Sequence, residues 1–384
     1  MATVTAPRPS TFPLGRGATA AWRHVDLALL AATLSIAGMG VLMVYSATQS
    51  KLADAGLDPY MYLKRQAVWV VLGLIAMAVT VIVDYRVFRD LAPVLFGGTL
   101  LLLLAVLSPL GKSTRGAQAW FQFGSFQLEP SEWAKLALIV CVAAYCATHR
   151  GDLDSRRLVT VIALAFLPMA LIYLQPDLGT ALVFGAILIG VLVVAGARPR
   201  HIAVLCILAA VGMVAVVQLG VLKQYQLDRL TAFTDPSRNT AGSAYNLSQA
   251  KAAIGSGGLL GKGLFKGTQT NLSFVPEQQT DFIFTVVGEE LGFVGAFTLL
   301  ALFAVVVWRT WRTATLARDL FGTLLCMGVL AMFVFQIFEN VGMTMGIMPI
   351  TGIPLPFMSY GGSSTVASFA GVGLVLNVHM RRFA

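Results

Sequence analysis

From residue 27 to the C-terminus, long apolar stretches alternate with short polar breaks. Ten stretches lie near 27–47, 66–83, 91–108, 132–148, 158–175, 179–197, 201–221, 282–308, 321–341 and 362–379. Allowing for tilt, each suits the ~20 residues that cross ~30 Å of hydrocarbon. The pattern predicts an all-α polytopic membrane protein. It has a polar tail over 1–25, one ten-helix membrane domain over 26–384, and a large extracytoplasmic loop over 222–281 between the seventh and eighth spans. The first apolar run is longer than a signal-peptide core, so it reads as a retained span.

Composition agrees: 57% of residues are hydrophobic and only 12% charged. The net charge of +9 is spread over many short segments, which excludes a nucleic-acid-binding domain. With the N-terminus inside, the cytoplasmic segments gather Arg86, Arg89, Arg156, Arg157, Arg309, Arg312 and Arg381, among others. The short outer loops carry only Lys51, Lys64, Arg65, Lys112 and Arg115, so the positive-inside rule puts both termini in the cytoplasm. The four histidines then sit at cytoplasmic ends, and the four cysteines lie within spans as small core hydrophobes. The outer face has no histidine for acid–base or metal work.

Chemistry is therefore sought among outer carboxylates. In NLSFVPEQQTDFIFTVVGEE, Asn271 to Glu290, Pro276 fits the first turn of a helix that would carry Glu277 and Asp281 on one face at i, i+4. Glu289 and Glu290 would then lie roughly 12–13 Å further along the axis and read as buried structural groups. Glu132 and Lys135 form a second charged pair at the top of a span; structural locking and substrate contact both explain it, because burial largely cancels the pair's attraction. Trp120 is either an interfacial belt residue or a platform for a sugar ring. Arg65, beside Lys64, either meets an anionic headgroup or snorkels. Asp177, in LQPDLGTA, reads as a turn-stabilising carboxylate.

The loop's glycines, from Gly255 to Gly267, interleave with Lys262 and Lys266. A Walker A reading fails, since Ser256 and Gly263 stand where that motif needs glycine and a hydroxyl. Two readings remain: backbone N–H groups and ammoniums that hold a pyrophosphate, or a merely flexible loop. The segment 342–364, with three prolines and several glycines at membrane depth, cannot be a plain helix. Such backbone is tolerated only where protein covers it or it lines a wet cavity.

Together QPDLGTA, PSEWAK, IGSGGLLGKG, GTQTNLSFVPEQQTDFIF, GEELG, and Asn340 through PLPFMSYGGSS resemble the SEDS family (shape, elongation, division and sporulation) of lipid II polymerases. The resemblance spans nearly the whole chain, and its final motif and Leu178 look more RodA-like than FtsW-like. It implies a glycosyltransferase of the bacterial cytoplasmic membrane that builds glycan strands on the outer face for cell elongation. Lipid II would be its substrate, and a class B penicillin-binding protein and other elongation-complex proteins its partners. The family's essential aspartate maps onto Asp281, as general base. The resemblance also suggests Arg65, Trp120, Glu132, Lys135, Lys262, Glu277 and Thr280 as substrate contacts, and admits a divalent cation, Mg²⁺ or Mn²⁺. Gln279, Glu129 and Ala119 depart from the family's usual His, Gln and Arg. Rival readings are a lipid II flippase, an FtsW-like division polymerase and a non-catalytic scaffold. No inverted repeat is visible to support the flippase.

Overall fold

A computed structural model describes residues 24–114, 117–124, 126–149, 154–220, 224–234, 242–272 and 274–382. Most of the expected N-terminal tail lies outside them. The helices are α1 (Leu27–Asp54), α2 (Met61–Ile82), α3 (Tyr85–Asp90), α4 (Ala92–Leu107), α5 (Pro130–Thr148), α6 (Ser155–Leu174), α7 (Leu178–Val194), α8 (Pro199–Gln218), α9 (Gln224–Thr234), α10 (Ser243–Ser256), α11 (Thr268–Asn271), α12 (Ile283–Thr315), α13 (Leu320–Met345) and α14 (Gly362–Arg381). Eight of them are long and apolar enough to cross a membrane, and α4 and α7 are apolar helices of 16 and 17 residues.

Aspartates set the helix starts. Asp26, Asp84, Asp154, Asp177 and Asp319 each accept a backbone N–H of the first turn they precede. Proline fills the first turn of α4, α5 and α8. Helix α14 is the axis of the bundle, buried along its apolar length and packed most extensively on α2. That contact depends on small residues: a Cβ at Gly373 would run into Met77 and Thr80, and one at Gly362 into Trp69. Around this pair, α12 packs on α1 and α13, and α13 on α5 and α7.

The two ends of the bundle differ. One carries a network of arginines and aspartates: Arg309 to Asp26 at 2.6 Å, Arg381 to Asp84 at 3.3 Å and Arg86 to Asp319 at 3.8 Å. The Tyr85 hydroxyl donates to Asp319 at 2.8 Å, and burial pushes its pKa up to about 12. The other end carries three features the hydropathy pattern did not resolve. First, β1 (Lys112–Thr114), β2 (Ala117–Phe123) and β3 (Phe126–Leu128) form a small antiparallel sheet in the order 1-2-3, so the fold is helical but not all-α. Aromatic residues, which favour strands, recur at Trp120, Phe121, Phe123 and Phe126, and Gly124 turns the chain at φ 60°.

Second, no helix begins at Pro276. The chain runs through turns from 275 to 282, Glu277 sits at φ 54°, and α12 starts at Ile283. Helical backbone is therefore broken at Glu277, and the i, i+4 relation survives only as a single turn in which Asp281 N–H donates to the Glu277 carbonyl at 3.2 Å. Third, the glycine run is neither an open anion nest nor slack. Helix α12 opens at Gly292, at φ 64°. The loop fills the opening: Phe293 and Val294 N–H donate to the Gly258 and Leu259 carbonyls, while Lys262 and Gly263 N–H donate to those of Glu289 and Glu290. A Cβ at Gly261 or Gly292 would occupy the partner's backbone. Glycine is used here for close approach, and these four backbone groups at the break find partners in the loop. The predicted short helix is present as α10, with Gly242 and not Ser243 at its cap.

Candidate active site

Asp281 is the last polar residue before α12, half-buried in a wall made by three segments. Its backbone carbonyl accepts from Asn340 Nδ2 at 2.8 Å, and the same nitrogen donates to the Ile353 carbonyl at 2.8 Å. Asn340 is fully buried on α13, so one amide pins the aspartate turn to the irregular segment after α13. The Gln279 carbonyl accepts from Tyr360 N–H at 2.8 Å, a second pin. Thr280 turns its hydroxyl back onto the Glu277 carbonyl at 3.1 Å. It serves the turn, while the half-buried Glu277 supplies the carbonyl around which the turn closes.

The carboxylate itself points at Gly352. The site a Cβ would take there is 3.2 Å from Asp281 Oδ2 and 3.5 Å from Arg229 Nη1. Arg229, on α9, also donates to the Thr351 carbonyl at 3.1 Å. Aspartate and arginine thus flank one residue that must lack a side chain, and Gly352 sits at φ 82°, where glycine is at ease. The sequence reading missed Arg229. The available signal was an arginine on the segment that the hydropathy pattern assigns to the outer face, against the positive-inside trend.

Arg65 belongs to the same wall through the half-buried Tyr360. The Tyr360 phenol is raised by burial, and its hydrogen bond to Arg65 works against that shift. Gln66 donates to the Ser359 carbonyl at 3.3 Å, and Tyr62 stacks edge-on against Tyr360 at 4.8 Å.

Glu132, Lys135 and Trp120 form a neighbouring cluster. Glu132 and Lys135 pair at 2.8 Å, both almost fully buried. Trp120 Nε1 donates to Glu129 at 3.1 Å, and Ser131 Oγ donates to the other Glu129 oxygen at 2.6 Å. Ser363 Oγ accepts from Glu129 N–H at 2.8 Å, so residues 359–364 connect this cluster to the Arg65–Asp281 wall. Burial first, then the Glu132 and Asp177 carboxylates, push Glu129 up to about 8. A pKa raised on folding contributes stability that is complete below the unfolded value and lost as pH rises through the folded one. The Trp120 emission will therefore titrate with a midpoint near pH 8. In Glu129→Gln that transition will be absent, and a transition that persists there would move the assignment to another group.

Lys262 lies elsewhere. Its ammonium is bound by the buried Glu289 at 2.8 Å and by Thr268 Oγ1 at 2.7 Å. The structure thus gathers Asp281, Glu277, Thr280 and Arg65 in one wall, places Trp120, Glu132 and Lys135 beside it, and leaves Lys262 as a loop anchor. Among the described residues, no group of three or more His, Cys, Asp or Glu is placed to hold a metal ion. A Mg²⁺ that keeps several waters and uses one or two carboxylates plus substrate phosphates would need only Asp281 and Glu277.

Comparison with known proteins decides what this wall belongs to. The family model described as "Cell cycle protein", covering FtsW, RodA and SpoVE, matches residues 27–383. The chain belongs to this family. It is therefore a member of the SEDS peptidoglycan glycosyltransferases that its motifs resemble. Among relatives, the probable peptidoglycan glycosyltransferase FtsW of Geobacter metallireducens is 37% identical over 359 residues, 93% of this chain and 95% of that protein. The peptidoglycan glycosyltransferase MrdB of Escherichia coli is 35% identical over 359 residues, 94% of each. A solved chain from a peptidoglycan synthase complex that coordinates polymerization and crosslinking superposes with TM-score 0.80 at 32% identity, covering 94% of this chain and 99% of that one. The rod shape determining protein RodA of Thermus thermophilus gives TM-score 0.71 at 32% identity, with the same coverage.

Proposed function

We propose that this protein polymerises lipid II on the outer face of the bacterial cytoplasmic membrane, in the service of cell elongation. All ten apolar helices cross the membrane, with the arginine-rich end and both termini in the cytoplasm. The observation that carries the reading is Asp281, held by Asn340 and facing Arg229 across Gly352 at the end away from that arginine network.

The acceptor sugar hydroxyl attacks the anomeric carbon of the donor. A glycosidic C–O bond forms, the bond to undecaprenyl pyrophosphate breaks, and the hydroxyl proton passes to Asp281. Inversion at an α-linked donor needs one base and no carboxylate nucleophile. Charge developing on the departing diphosphate is offset by Arg229, with Arg65, Lys135 or a divalent cation completing the field. Trp120 and Glu277 are further substrate contacts. Lys262 reaches the substrate only indirectly, through the loop it anchors. A class B penicillin-binding protein, with other elongation-complex membrane proteins, receives and crosslinks the strands.

The test is purified protein with lipid II, with and without its cognate transpeptidase. Glycan polymer is the expected product. Translocation of lipid II across vesicles, with no polymer from either preparation, would replace this reading with the flippase.

A further inference from the structure

Directly behind the Asp281 wall, α13 presents buried oxygen atoms short of hydrogen-bond donors among the described residues. They are Gln336 Oε1, Asn340 Oδ1 and the carboxyl oxygens of Glu339. Gln336, Glu339 and Asn340 are almost wholly buried, and their spacing of i, i+3, i+4 puts them on one face. The Thr351 hydroxyl, from the irregular segment, donates to the Glu339 carboxyl. The orientation of Asn340 is set by chemistry, since its nitrogen serves two carbonyls; its oxygen is therefore turned away from them.

A native protein rarely leaves one such atom unpaired, and a buried carboxylate with a single hydroxyl donor is the costliest case. Whatever completes this set must donate or be positive, because apart from the hydroxyl every member only accepts. An all-oxygen set of carboxylate, amide and hydroxyl suits a hard cation. The site also lies in the last turns of α13, which ends at Gly346 in the left-handed region with the Lys251 ammonium beside that glycine. A helix C-terminus carries partial negative charge, and helix ends beside unwound backbone are where membrane proteins hold sodium ions.

The charge count selects valence. Glu339 is the one carboxylate in the set. Beyond residues 351–353, Arg229 faces Asp281. On α5, Glu132 and Lys135 neutralise each other. At the start of α7, Asp177 is occupied as a cap. A single positive charge balances Glu339, whereas a divalent ion would leave a buried excess. We propose that Gln336, Glu339, Asn340 and Thr351 form a sodium site. The bound ion would fasten α13 to the Thr351–Ile353 segment, which in turn holds Arg229 and, through Asn340, Asp281.

The test is thermal unfolding of the full chain in detergent or nanodiscs, with sodium chloride titrated against choline chloride at constant ionic strength. The expected result is a saturable rise in melting temperature of about 5 °C, as binding to the native state alone requires. Glu339→Gln should lose the rise, and Thr351→Val should need roughly tenfold more sodium for half the effect. Superimposed melting curves in sodium and choline would overturn the site, and so would an undiminished rise in Glu339→Gln; a neutral carboxylic acid or bound water would then satisfy these oxygens. Should the Gln variant fail to fold, the wild-type titration and Thr351→Val still decide. Melting does not read catalysis, so failure here leaves the assignment of Asp281 standing.

Discussion

Asp281→Asn will abolish polymerisation while leaving the protein folded. Loss of a general base costs typically ~10²- to 10⁴-fold in rate, which would take glycan synthesis below detection in a gel assay. The fold should survive because the aspartate is pinned by its backbone: Asn340 grips the carbonyl and Glu277 receives the N–H. Asn is the same size as Asp and leaves those bonds intact. The measurement is lipid II polymerised per unit time, alongside a melting curve. An Asn variant that polymerises at the wild-type rate would remove Asp281 from the chemistry. Arg229→Ala provides the contrast. If Arg229 offsets charge on the leaving group, its loss lowers kcat and kcat/KM together, the signature of an interaction made in the transition state.

Much of this arrangement could be read along the chain, for identifiable reasons. Apolar run length is a one-dimensional property, so each span expected from hydropathy has a counterpart among the helices, down to the 16-residue Ala92–Leu107. Asp177 was legible because a turn between antiparallel helices needs a local acceptor, and it caps Thr180 N–H at 3.0 Å. The site was legible only as far as residue type at a position expected outside carries it. Asp281 and Glu277 were found as carboxylates but placed on a helix, because Pro276 is compatible with a first turn and nothing local announces a positive φ at Glu277.

Long-range pairings were the opaque part. Arg229 meets Asp281 across Gly352 because three distant segments fold to one point, and no spacing rule connects residues 229, 281 and 352. Lys262 was suggested as a substrate contact by the family resemblance, and its partner Glu289, 27 positions away, was not legible in its glycine neighbours. The break at Gly292 is invisible as well, since the apolar run continues through it. What identifies the break is the loop of glycines that fills it.

That loop carries the second large effect. The Glu289 carboxylate is fully buried and receives Gln269 N–H at 2.8 Å, Thr270 N–H at 2.9 Å, Thr270 Oγ1 at 2.8 Å and the Lys262 ammonium at 2.8 Å. Thr270 Oγ1 in turn accepts from the buried Gln278 Nε2 at 3.1 Å, and Gln278 adjoins Glu277, where the aspartate turn begins. One carboxylate thus supports, through two hydrogen-bonded steps, the backbone that presents Asp281. Glu289→Leu leaves these donors buried without an acceptor, and breaking a buried pair in this way costs about 3–5 kcal/mol. Lys262→Met should cost about 1 kcal/mol or less, because its ammonium is 26% exposed and water can replace part of what it loses. Combined, the second substitution should add little to the first, since the pair is already broken. Activity should follow the same order, with Glu289→Leu losing polymerisation although the residue is fully buried. Melting and polymerisation of the two single variants and the double variant check this. A Lys262→Met protein that melts like the wild type but cannot polymerise would return Lys262 to direct substrate contact.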